Sequence, residues 1–151
     1  SKSGSAEGKT TYDSTGNENN ALISGIASYT NGGFSGNSLL FNNGYGRAEV
    51  AKTLSLNLSE QVSIDAHIAG AGGGYSNGTL VYLYPSGTIF GSDSYFMAVK
   101  NRHLYGGVRT GEGVGSWTTI EGTTTVQKNQ LSNLTLTYDG QFIRGFLNGS
   151  L

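Results

Sequence analysis

The chain predicts an all-β fold, a two-sheet antiparallel β-sandwich, on three observations. Short stretches alternate apolar and polar residues with the period of two that gives a strand one buried face, and they recur about every ten residues. Between them lie turn formers: 25 of the 151 residues are Gly, Asn, Ser and Thr are abundant, and there is one Pro. No segment carries an apolar stripe at helical spacing over three turns.

Residues 1–9 are small and polar and read as a flexible lead-in or linker; 10–151 read as one domain. Thr10 to Asn20 is a loop by composition. Ala21 to Tyr29 predicts a short strand with Leu22 and Ile26 inward. Asn31 to Gly36 is turn chemistry. Ser38 to Asn42 predicts a strand with Gly46 to Val50 as its antiparallel partner. Leu54, Leu56 and Leu58 alternate with polar residues, and strand, helical turn and extended loop all fit. Val62, Ile64, Ala66 and Ile68 alternate with Ser63, Asp65 and His67, a clear strand pattern. After the glycine-rich 70–78, Thr79 to Tyr84 predicts a strand ended by Pro85. Ser94–Lys100 and His103–Arg109 pair across Asn101-Arg102. Trp117 to Val126 holds one or two Thr-rich strands. The last stretch is a hairpin: Leu134, Leu136 and Tyr138 form an inward face, Asp139-Gly140 supplies a primed turn, and Phe142 to Leu147 runs back. Asn148-Gly149 offers another turn.

Composition narrows function. Net charge is −1 and no Lys/Arg cluster exists, which argues against nucleic acid and anionic membranes as partners. No apolar run approaches the roughly 20 residues needed to span a bilayer. Without Cys there is no disulfide and no thiolate metal site. The sole methionine is Met97, so the first residue is not an initiator. Either a leader has been removed or the sequence has been trimmed; a leader, with low charge and Ser/Thr/Asn richness, would make this a secreted or cell-surface protein. N-glycosylation sequons fall at Asn57, Asn77, Asn133 and Asn148, in a composition where chance matches are expected.

Three groups of residues carry candidate chemistry. Asp13, Asn17, Glu18 and Asn20 place oxygen donors in one loop, a candidate for structural Ca²⁺; the plainer reading is an Asx-rich turn capping its own backbone. Tyr45, Tyr75, Tyr82, Tyr84, Tyr95, Tyr105 and Trp117 are candidate sugar-stacking aromatics, against the reading that they fill the core. Among them Tyr82 and Tyr84 share a strand face, and Tyr75 and Trp117 border glycine-rich segments. Catalysis is not expected. Glycoside hydrolysis needs two carboxylates on one face, but Glu60 and Asp65 fall on opposite faces. Asp65 and His67 share a face but lack a nucleophile motif.

Three segments carry a family resemblance: Tyr12-Asp-Ser-Thr-Gly-Asn17, Gly33-Phe-Ser-Gly-Asn-Ser-Leu-Leu-Phe-Asn-Asn-Gly44 followed by Gly46–Val50, and Leu134-Thr-Leu-Thr-Tyr-Asp-Gly140 through Phe146-Leu-Asn-Gly149. In order and spacing they resemble the concanavalin A-like, laminin-G-like (LamG-like) jelly roll. The chain departs from it at His67, at Leu131–Leu134 and at Asn42-Asn43, where that family has Trp, Trp and Asp. The resemblance implies two packed antiparallel sheets and a domain incomplete at its C-terminus. The missing strands would come from the rest of a longer polypeptide or from another chain. It also implies a non-catalytic extracellular recognition or adhesion domain with a glycan or surface protein as partner. The alternative is a structural subunit of an extracellular filament or coat, completed by strand donation.

Overall fold

Alternation and turn chemistry leave the backbone one way to satisfy its N–H and C=O groups, which is pairing between strands. The computed structural model describes residues 4–33, 36–41, 46–51, 53–56, 58, 60–69, 77–82, 95–109 and 116–151, with the backbone alone at 4–5, 32–33, 54 and 77–82. The fold is all-β as expected: among the described residues every strand pairing is antiparallel, and the one helical element is a 3₁₀ turn at Leu54–Leu56. The chain divides into two compact units, Ser1–Leu56 and Asn57–Leu151.

The first unit holds β1 (Gly4–Ser5), β2 (Thr10–Thr11), β3 (Ala21–Ser24), β4 (Ala27–Gly33), β5 (Gly36–Phe41) and β6 (Arg47–Val50). They form two three-stranded sheets, β1-β4-β5 and β2-β3-β6. Fully buried Ala6 and Ile23, with Ala27, make its core against Tyr29 and Leu39. Three expectations change here. Residues 4–9 are not a free lead-in: Ala6 N–H donates to Ala27 O at 2.9 Å, and Gly8 N–H donates to Ile23 O at 2.8 Å. Leu22 and Ile26 point outward, each 53% exposed, because Gly25 at φ +73° ends one strand and starts another, which puts Ile23 and Ala27 inside. Finally, β5 pairs with β4 and β6 with β3, so Ser38–Phe41 and Arg47–Val50 do not partner each other. Gly46 sits at the parting, where a Cβ would lie 2.7 Å from both Ile26 O and Phe41 Cδ1.

The second unit holds β7 (Val62–Ala69), β8 (Asn77–Tyr82), β9 (Tyr95–Lys100), β10 (His103–Arg109), β11 (Trp117–Thr125), β12 (Leu131–Tyr138) and β13 (Ile143–Leu147). A four-stranded sheet, β11-β10-β9-β8, and a three-stranded sheet, β13-β12-β7, share one core. Val62, Ile64, Leu134 and Leu136 on the small sheet meet Tyr95, Met97, Leu104 and Val108 on the large one. Met97, Leu134 and Leu136 are fully buried, each contributing about 1.5–3 kcal/mol by leaving water. The sheets approach closely. A Cβ on Gly106 would lie 2.8 Å from Leu136 Cδ1, and one on Gly145 would lie 2.8 Å from both Ile120 Cδ1 and Leu104 Cδ2.

The turns are set by side chains. Asn101 and Arg102 adopt φ +51° and +65°, closing β9 onto β10 as a two-residue hairpin. The Asp139 turn differs from the expected two-residue one: Tyr138 pairs with Ile143, leaving four residues between. Asp139 causes this by accepting N–H groups from Gln141 and Phe142 and pairing with Arg144. Asn148-Gly149 is the expected tight turn, with Leu147 and Ser150 exchanging both backbone bonds.

Gly106→Ala should destabilise the second unit by about 1–3 kcal/mol through overpacking, and Leu136→Ala by about 2–5 kcal/mol through cavity formation. Urea unfolding followed by Trp117 fluorescence measures both; a change in either variant below 0.5 kcal/mol, about the spread of neutral surface substitutions, would refute this account of the core.

Candidate functional site

Because successive side chains alternate across a strand, sending Tyr95 and Met97 into the core sends Phe96, Ala98 and Lys100 to the opposite face. On β10 the same rule turns out Tyr105, Gly107 and Arg109, and on β11 it turns out Trp117, Thr119 and Glu121. Cross-strand register stacks these residues in rows. Arg109 faces Trp117; Gly107 lies between Phe96 and Thr119; Tyr105 lies between Ala98 and Glu121; His103 lies between Lys100 and Thr125. Rows two residues apart along a strand are about 7 Å apart.

Side chains from four successive rows touch. The rings of Trp117 and Phe96 lie 5.2 Å apart, edge to face at 66°. Phe96 and Tyr105 lie 5.2 Å apart at 54°. Lys100 Nζ then sits 4.6 Å from the centre of the Tyr105 ring, an attraction between the ammonium and the ring's negative face. Glu121 holds Lys100 at 3.0 Å, and this contact raises the lysine's pKa above its ordinary value. Gly107 is what lets the row close: a Cβ there would lie 2.9 Å from Phe96 Cε1 and from the Thr119 methyl. The ladder's ring members are half-buried and outside the core cluster, while Ala98, Gly107 and Arg109 beneath it are buried. Arg109 Nε donates to Ser116 Oγ at 3.0 Å.

Of the predicted sugar-stacking residues, Trp117 heads this ladder. Tyr82 occupies the position on β8 opposite Phe96. Tyr75 and Tyr84 lie outside the described residues, as does Tyr45. Tyr95 is core, and its burial pushes the phenol up. Phe96 and Lys100 were not anticipated. In Tyr95-Phe96 either aromatic can be the inward one, and the only sequence hint was glycine at 107.

The loop proposed for Ca²⁺ is organised around Asp13. Thr15 N–H donates to Oδ1 at 2.8 Å, the Thr15 hydroxyl reaches both carboxylate oxygens, and Asn19 N–H donates to Oδ2 at 3.1 Å. These bonds, the Thr15 backbone bond first, lower the Asp13 pKa. Asn20 Oδ1 accepts Asp13 N–H at 2.8 Å, Asn17 Nδ2 donates to Thr15 Oγ1 at 3.1 Å, and Glu18 takes φ +57°. Asn19 Oδ1 accepts hydroxyls from Thr53 and Ser55. The loop therefore has the geometry of an Asx-rich turn. Among the described residues no three His, Asp or Glu side chains come together.

Asp65 and His67 do share the outer face of β7. Asp65 Oδ1 accepts Thr135 Oγ1–H at 2.6 Å and Asn133 Nδ2–H at 2.7 Å, and these bonds lower its pKa, Thr135 first. Asn133 Nδ2 also lies 3.4 Å from His67 Nε2. The Asn133 sequon is thus tied into a sheet network, whereas Asn148 lies exposed in its turn and accepts Asn133 N–H at 2.9 Å. Asn77 heads β8, and Asn57 lies outside the described residues. No helix among the described residues is long and apolar enough to cross a membrane.

No protein-family model matches the chain, and neither a curated protein nor a solved structure matches it.

Two outcomes are expected. Asp65 titrates below its ordinary 3.8 in the folded state, so its contribution to stability is complete above pH 3.8 and is lost as pH falls through the folded value. Asp65→Asn should flatten that acid limb relative to the native chain in thermal melts from pH 6 to 2; an unchanged limb would remove Asp65 from the network's energetics. Millimolar Ca²⁺ should leave the melting temperature where it is. A rise that Asp13→Asn abolishes would instead assign the loop an ion, since a ligand bound only by the folded state stabilises it.

Proposed function

We propose that this chain is a non-catalytic carbohydrate-recognition domain of an exported protein, acting in extracellular recognition or adhesion. The observation that carries the reading is the ladder of Trp117, Phe96 and Tyr105 on the outer face of the four-stranded sheet. Aromatic rings offer the apolar faces on which sugar C–H groups stack, and these three lie outside the core cluster. Thr119, Glu121 and Lys100 beside them supply the hydroxyl, carboxylate and ammonium groups that orient a polyol. The likeness of Tyr12–Asn17, Gly33–Val50 and Leu134–Gly149 to the laminin-G-like pattern supports the same reading. A non-catalytic role is favoured by the commitment of Asp65 to Thr135 and Asn133, which leaves its Oδ1 engaged with its own sheet.

A second reading, a structural subunit joined by strand exchange, has one observation in its favour. Among the described residues β7 is an edge strand that pairs only with β12, and an edge is where a strand from another chain can add. Light scattering at rising concentration separates the two: a constant monomer mass removes strand exchange.

On a glycan array followed by calorimetry, Trp117→Ala should weaken binding of whichever glycan scores by about tenfold, equivalent to roughly 1.4 kcal/mol. Far-ultraviolet circular dichroism should be unchanged, because Trp117 lies outside the core cluster. Full retention of affinity in a folded Trp117→Ala protein would remove the ladder from the binding site.

A further inference from the structure

The side chains of two of the four sequons, Asn133 and Asn148, are described, and the fold treats them oppositely. Asn133-Leu134-Thr135 lies inside β12, with β7 on one side and β13 on the other. Leu134, the middle residue, is fully buried. Asn133 Nδ2 donates to Asp65 Oδ1 at 2.7 Å and lies 3.4 Å from His67 Nε2. The Thr135 hydroxyl donates to Asp65 Oδ1 at 2.6 Å. An N-glycosyltransferase needs two groups of the motif: the amide nitrogen that takes the sugar, and the hydroxyl two residues on by which the motif is read. At Asn133 both are engaged, and neither reaches an enzyme without drawing Leu134 out of the core.

Asn148-Gly149-Ser150 is exposed at all three residues, in the turn after β13. Gly149 takes φ +80°, and no atom beyond its chain neighbours lies within 4 Å of where a Cβ would stand. Asn148 Oδ1 accepts Asn133 N–H at 2.9 Å, and the Asn148 backbone N–H donates to Asn133 O at 2.8 Å. Neither bond uses Nδ2. Among the described residues, Asn148 Nδ2 and the Ser150 hydroxyl have no hydrogen-bond partner. Glycosyl transfer joins Nδ2 to C1 of the sugar, breaks the bond from C1 to the diphosphate of an activated donor, and releases one Nδ2 proton. The product is still an amide, so Oδ1 keeps its bond to Asn133 N–H.

We propose that Asn148 is an N-glycosylation site of the folded protein, taking a sugar from a diphosphate-activated donor with its bonds to Asn133 kept, and that the fold closes Asn133 to the same reaction. The site is independent of the aromatic ladder and of what the ladder binds.

The test uses the full chain, UDP-glucose and a soluble N-glucosyltransferase that modifies synthetic peptides spanning either sequon. Tandem mass spectrometry of digests reads occupancy at each asparagine against time. In the folded chain Asn148 should gain its hexose at least about tenfold faster than Asn133, which reacts only when β12 opens. Leu136→Ala, which loosens the core, should speed Asn133 several-fold and leave Asn148 unchanged. Ser150→Ala should abolish modification at Asn148 and leave the melting temperature where it is, because that hydroxyl bonds nothing among the described residues. The chain glucosylated at Asn148 should melt with the unmodified one. Three results overturn the proposal: a folded chain left unmodified at Asn148, Asn133 modified as fast as Asn148, or a melting temperature lowered by the Asn148 glucose, since the last means that the bonds to Asn133 are lost.

Discussion

The second unit depends on the approach of its two sheets at Leu136 and Gly106. Leu136 lies over Gly106 so closely that a methyl group at that glycine would clash with both leucine methyls. Leu104 and Ile120 crowd Gly145 in the same way from the other sheet. Close-packed interiors do not tolerate an extra methyl without strain. The glycines therefore decide how near the sheets come, and the leucines decide which face of each strand is sealed. Once Met97, Leu104 and Val108 are inward, alternation places Phe96, Tyr105 and Arg109 outward. The candidate site is thus a consequence of the core: each ladder residue on β9 and β10 is next in sequence to a residue that packs inside.

The polar groups outside the cores hold register. Asp65, Thr135 and Asn133 tie β7 to β12, and Asn148 ties the end of β13 back to Asn133. Asp139 accepts two backbone N–H groups and pairs with Arg144, widening a turn that Asp-Gly alone would have made tighter. Asp13 does the same for its loop. In each case an ionised carboxylate accepts several N–H or O–H donors, the arrangement that lowers an acid's pKa. All three carboxylates are lowered accordingly. Local hydrogen bonding accounts for the lowered pKa of each. The aromatic ladder is held by ring-to-ring contacts and by the Lys100–Glu121 pair across three strands.

Much of the strand content was legible in the residues. Val62–Ile68 and Leu134–Tyr138 show clean alternation, and their inward sets are the ones expected. Asn101-Arg102 and Asn148-Gly149 turn where asparagine, which tolerates positive φ, announced it. The first unit was harder to read. Ala21 to Tyr29 contains apolar residues in both phases, and Gly25 breaks the run, so Leu22 and Ile26 looked inward until pairing put Ile23 and Ala27 there. Neighbouring stretches in sequence, Ser38–Phe41 and Arg47–Val50, looked like a hairpin but belong to different sheets. Of the site, Trp117 was singled out for its place beside glycines, but the ring it packs against, Phe96, comes from 21 positions away.

By itself the sequence determined the all-β class, the strands with unbroken alternation, and the turns built on asparagine and glycine. These are local properties, written in the period of two and in the φ preferences of single residues. Only the tertiary structure decided which of two adjacent aromatics, Tyr95 or Phe96, faces the core, which strands share a sheet, and that Phe96, Tyr105 and Trp117 form one ladder with Lys100. Those choices depend on sheet-to-sheet packing and on cross-strand register, and both are set by residues far apart in the chain.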